Sequence, residues 1–80
     1  MDAQTTGALI ARRRKELGLS QSDLAAQLHV TDKAVSKWET GRGMPGMDSL
    51  EPLGEVLGLS VSEILSGKQL TAEELPFERV

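Results

Sequence analysis

The 80-residue chain has no cysteine, no tyrosine, a single histidine and only two aromatic residues, Trp38 and Phe77. Without cysteine there is no disulfide scaffold and no Cys-based zinc site. With His29 as the only histidine, a His-rich metal site is excluded, and no convincing Ser-His-Asp or metal-ligand spacing surrounds it. No catalytic residue, metal ligand or cofactor is therefore assigned, and an enzyme is not expected. A core with so few rings is built from Leu, Ile, Val and Ala. No apolar run approaches the roughly 20 residues of a membrane span, and residues 1–15 lack the signal-peptide order of charge followed by an apolar stretch. These features fit a cytoplasmic protein without a membrane partner.

Net charge is −3, the wrong sign for a partner such as nucleic acid, but it is unevenly spread. Residues 1–43 hold seven Lys/Arg and five Asp/Glu, net +2, whereas residues 44–80 hold two and seven, net −5. Near a polyanion the local field counts for more than the total.

The hydrophobic pattern is helical throughout, and the length suits one domain. A first helix is expected over about 6–17, capped by Thr5 or Thr6, with Ile10, Arg14 and Leu17 on one stripe and Gly18 ending it. Residues 1–4 read as a loose end. Ser20 caps a second helix, about 21–28, with Asp23 completing a capping-box-like start. Thr31 caps a third, about 32–40, with Asp32 at the positive end of its dipole. A fourth runs from about 48–50 to Leu57, with Pro52 placed in its first turn and Leu50, Leu53 and Leu57 inward. A fifth covers about 62–66, after a Ser60 or Ser62 cap.

The middle of this series, residues 21–40, is the informative stretch. Two helices of about two turns cannot stand alone in water and must dock on each other. A pair joined by so short a turn is the geometry that presents its second helix to a DNA major groove. Val35 and Trp38 face inward, which leaves Lys33, Ser36 and Lys37 outside, with the two lysines four residues apart on one face. Two cations and a hydroxyl there suit guanine edges or phosphates. Residues 41–46, GRGMPG, spell GxGxxG, but a helix precedes them and Pro45 interrupts them, so a dinucleotide site is rejected.

Gln21, Ala25, Val35 and Trp38, the run Ser36 to Gly41, and the segments LEPL at 50–53 and VLGLSVSEIL at 56–65 together resemble the phage-repressor-like (XRE, Cro-type) helix-turn-helix regulators. The resemblance covers roughly residues 5–67. It implies an all-α, compact five-helix, lambda-repressor-like DNA-binding domain over 6–67, with the helix-turn-helix motif at 21–40. It also implies a partly buried ion pair between Arg14 and Glu39. Asp32, Lys33 and Lys37 fall at base-reading positions, although Asp32 is equally explained by the helix dipole. Gln21 falls where relatives bind phosphate or support a base contact. Thr31 and Arg42 fall near the DNA backbone. Three positions depart from the family. Arg13 replaces a commoner apolar residue, weakening one contact of the first helix and offering a phosphate contact. His29 replaces the usual turn glycine. Gly54 stands where alanine is commoner, an expected loosening of up to about 1 kcal/mol.

The expected function is sequence-specific regulation of transcription, as a repressor, on double-stranded DNA and as a homodimer at least there; a small-molecule ligand is not expected. The alternative is an antitoxin or protein-interaction module that keeps the fold and uses its acidic half. Residues 68–80 lie outside the resemblance. Leu70, Leu75, Phe77 and Val80 suit packing back on the domain, a dimer contact or a linker.

Overall fold

The computed structural model describes residues 2–70. Five helices follow one another: α1 Ala3–Glu16, α2 Gln21–Leu28, α3 Asp32–Glu39, α4 Met47–Leu57 and α5 Val61–Ser66. There is no strand among the described residues, and no helix there is long and apolar enough to cross a membrane. The tail positions Leu75, Phe77 and Val80 lie outside the described residues.

Capping explains most of the boundaries. Ser20 accepts from the Asp23 amide at 2.9 Å while Asp23 accepts from the Ser20 amide at 2.9 Å, a full reciprocal cap on α2. Ser60 and Glu63 repeat the arrangement on α5, at 3.0 and 2.7 Å, so α5 starts one residue earlier than the sequence suggests. The larger discrepancy is α1. Asp2 caps it, accepting from the Gln4 amide at 3.0 Å, and the helix begins at Ala3. The threonines expected to cap are used otherwise. Thr6 is buried, and its hydroxyl donates to the Ile64 carbonyl at 2.7 Å, tying α1 to α5. Leu17 is 44% exposed and lies off the buried stripe, where Leu9 and Ile10 stand instead.

Pro52 is the sixth residue of α4, past its first turn. The helix starts at Met47 behind an uncapped Gly46, so the proline ring stands where an amide would have bonded to the Asp48 carbonyl. Both residues are exposed, which leaves that carbonyl open to solvent.

The core is shared by all five helices: Leu9 and Ile10 from α1, Leu24 and Ala25 from α2, Val35 and Trp38 from α3, Leu50, Leu53 and Leu57 from α4, Leu59, and Ile64 from α5. Two glycines set its closest crossings. A Cβ on Gly7 would collide with the backbone carbonyls of Trp38 and Glu39, so α1 touches the end of α3 directly. A Cβ on Gly54 would collide with the Leu59 carbonyl, while the Leu59 amide donates to the Gly54 carbonyl at 2.9 Å. Gly54 is thus a close-contact position, and the loosening expected from propensity alone is corrected by the packing. Arg13 is corrected as well. Its Nε donates to the Leu57 carbonyl at 2.9 Å and its NH1 pairs with Glu16 at 2.8 Å, so it caps the C-terminus of α4, and its guanidinium is taken up within the fold.

Candidate nucleic-acid interface

The turn between α2 and α3 is tight because His29 adopts φ 57, ψ 40, the left-handed region in which glycine is favoured. Val30 then donates back to the Ala25 carbonyl at 3.0 Å. Thr31 restarts the chain as a helix, its Oγ1 accepting from the Ala34 amide at 3.1 Å. The Thr31 hydroxyl proton remains available as a donor to solvent or ligand.

Behind α3 lies a polar knot. Arg14 Nε donates to Glu39 Oε2 at 2.6 Å and its NH2 to Oε1 at 3.0 Å, a two-pronged pair with side chains only 11% and 6% exposed. Arg14 NH1 donates to the Leu19 carbonyl at 2.8 Å, and Gln21 Nε2 to Glu39 Oε1 at 2.9 Å. Burial alone would raise the Glu39 carboxyl. The hydrogen bonds from Arg14 and Gln21 and the nearby positive charge outweigh it and hold the group below the ordinary carboxylate range. The same pair raises the Arg14 guanidinium, chiefly through the hydrogen bond to Glu39. This knot joins the start of α2, the last turn of α1 and the end of α3, so the angle of α3 follows from it.

On the opposite face the structure brings four of the seven interface candidates together. Lys33, Ser36, Lys37 and Arg42 line one open cleft of ≈ 260 Å³. Asp32 and Thr31 are exposed at the α3 N-terminus. Gln21 stands apart, with its amide nitrogen engaged by Glu39. A residue that the sequence reading passed over, Thr40, positions Arg42. Its hydroxyl donates to the Ser36 carbonyl at 2.8 Å and accepts from Arg42 Nε at 3.0 Å. A threonine in the last turn before a glycine was the available signal, since its hydroxyl reaches back four residues. Gly41, at φ 75, follows as the left-handed residue that reverses the chain into the Arg42 loop.

Among the described residues neither Lys33 nor Lys37 has an ion-pair partner, so both ammonium groups are available to an outside anion. A short helix locked from behind and bearing unpaired cations in front is the arrangement of a groove reader. The sequence matches the Helix-turn-helix family, HTH_3, over residues 10–75. The chain belongs to this helix-turn-helix family, of the XRE, phage-repressor type.

Similar proteins place the helix-turn-helix domain within larger chains. It is 44% identical over 52 residues to the HTH-type transcriptional activator BcrR of Enterococcus faecalis, covering 65% of this chain and 26% of that protein. It is 48% identical over 42 residues to the 26 kDa repressor protein of Escherichia phage HK022, covering 52% of this chain and 18% of the other. Among solved structures, the P22 c2 repressor in complex with a synthetic operator superposes with a TM-score of 0.76 at 32% identity, over 79% of this chain and 96% of that one. The chain thus spans about a quarter or less of the first two relatives.

Proposed function

We propose that this helix-turn-helix domain binds operator DNA for a transcriptional regulator, in our reading a repressor, by laying α3 in the major groove. The observation that carries the proposal is the cleft shared by Lys33, Ser36, Lys37 and Arg42, none of whose three cations has an acidic partner among the described residues. The family membership and the likeness to an operator-bound repressor support it. In this reading Thr31 and Arg42 grip phosphates and fix the register. Lys33, Ser36 and Lys37 meet the base edges. The Arg14–Glu39–Gln21 knot holds the angle at which they arrive. The domain works as a homodimer on two half-sites about 34–36 Å apart, in the cytoplasm, without cofactor or catalysis.

Selection from a random duplex library at near-physiological salt tests this directly. The expected result is a two-fold-related motif. Lys37→Ala then relaxes the preference at one position of each half, whereas Arg42→Ala lowers affinity evenly across sequences and reduces the salt slope by about one. An unchanged preference in Lys37→Ala sinks the assignment of the reading face. A failed selection favours a protein-interaction role instead, for which the exposed Asp48, Glu51 and Glu55 along α4 would be the surface to test.

A further inference from the structure

The cleft on α3 is rich in hydrogen-bond donors and poor in acceptors. An ammonium group carries three donors and no acceptor, and a guanidinium five donors and none. Of the four cleft-lining side chains, Lys33, Lys37 and Arg42 are therefore pure donors, and only the Ser36 hydroxyl can also accept. None of the four ends in an apolar group that would seek a thymine methyl.

Adenine makes the opposite demand. Its major-groove edge presents one acceptor and one donor, N7 and N6–H, which an Asn or Gln amide matches with both its atoms. No Asn or Gln lies within α3. Gln21, at the start of α2, has its amide nitrogen committed to Glu39 Oε1 at 2.9 Å, and that carboxylate is itself clamped by Arg14. That bond takes one of its two N–H donors and ties the amide to the knot behind α3, and Gln21 is not among the residues that line the cleft, so no amide stands on the reading face itself. Guanine, by contrast, presents two acceptors, N7 and O6. Asp32, exposed in the first turn of α3 next to Lys33, carries a carboxylate that fits the N4–H donor of cytosine, the partner of guanine.

From this we infer that the helix-turn-helix reads G·C pairs, with Lys33 and Lys37 each donating to N7 and O6 of a guanine. Four residues of helix rise about 6 Å, against 3.4 Å per base pair along one strand, so the two guanines lie within about two base pairs of each other in each half-site. The inference rests on the DNA-binding function proposed above and adds the class of base that is read.

The test uses the full chain and the duplex recovered by library selection. The expected motif holds guanines one or two base pairs apart in each half. Each is then replaced by 7-deazaguanine, which pairs normally but lacks the N7 acceptor. Affinity falls about tenfold per contacted guanine, equivalent to about 1.4 kcal/mol. Lys37→Gln, which adds the missing acceptor, moves the preference at one position from guanine towards adenine. An A·T-only motif, or full affinity for the deaza duplex, overturns the inference while leaving DNA binding standing. So does a Lys37→Gln variant that loses affinity evenly and lowers the salt slope by about one, because that marks Lys37 as a phosphate contact. Failure to bind any duplex overturns both proposals.

Discussion

The two faces of α3 are made on opposite terms. Towards α1 and α2, Val35 and Trp38 are buried and the Glu39 carboxylate receives three hydrogen bonds from Arg14 and Gln21. Towards the outside, Lys33 and Lys37 are exposed and unpaired among the described residues. The inner face has almost no freedom to change, because each group answers another across a helix contact. The outer face carries no structural duty, so its side chains vary without moving the helix. A fold built this way can hold the pose of α3 whatever side chains its outer face carries.

The strongest way to break this contrast is to remove one inner partner. Glu39→Ala leaves the Arg14 guanidinium enclosed and uncompensated, and should cost about 3 kcal/mol, in the range measured for buried pairs that lose one partner. For a domain of this size that lowers Tm by roughly 12–24 °C. Lys37→Ala should change stability by less than about 0.5 kcal/mol. Equal shifts in the two melting curves would mean that the faces do not differ as described. Acid should act like the first substitution. Glu39 has a folded-state pKa below its unfolded one, so its contribution is complete above the ordinary carboxylate range near 4.3 and fades as pH falls through the depressed value. Glu63 carries the same sign: burial pushes it up, but hydrogen bonds from the Ser60 and Leu70 amides prevail. Tm should therefore be flat near neutrality and drop below about pH 4.

A smaller effect comes from the close crossing of α1 on α3. Gly7→Ala sets two terms against each other. Alanine is the better helix former by about 1 kcal/mol. Its Cβ, however, meets the carbonyls of Trp38 and Glu39, which are backbone and cannot swing aside. Overpacking of this kind costs about 1–3 kcal/mol, so Tm should fall. Gly54→Ala, facing the Leu59 carbonyl, should behave the same way. A rise in Tm for either variant would show that propensity governs and that the crossing is looser than described.

The helix order, the caps at Ser20 and Thr31 and the inward placement of Val35 and Trp38 were legible because each depends on neighbours within one or two turns of sequence. So was the outward placement of Lys33, Ser36 and Lys37, which follows from period alone. The long-range partners were not. Thr6 reads as a cap until Ile64, 58 residues away, claims its hydroxyl. Arg13 reads as a free cation until the end of α4 takes it. Gly7 and Gly54 carry no side chain whose pattern could announce a contact. The Arg14–Glu39 geometry came into view only through family resemblance, since an arginine on an apolar stripe does not name the carboxylate it meets.

A modest gain in stability is expected at the turn that joins the two halves of the motif. His29 holds φ 57, where a side chain costs roughly 1–2 kcal/mol that glycine does not incur. Glycine loses more backbone entropy on folding, about 0.5–1 kcal/mol. His29→Gly should therefore stabilise the domain by about 0.5–1 kcal/mol and raise Tm by a few degrees. The imidazole is exposed and no hydrogen bond from it is seen among the described residues, so little else is lost. Because the substitution touches neither face of α3, DNA affinity measured on the folded protein should not change. A drop in Tm would mean that the His29 side chain, and not the backbone alone, helps to hold the turn.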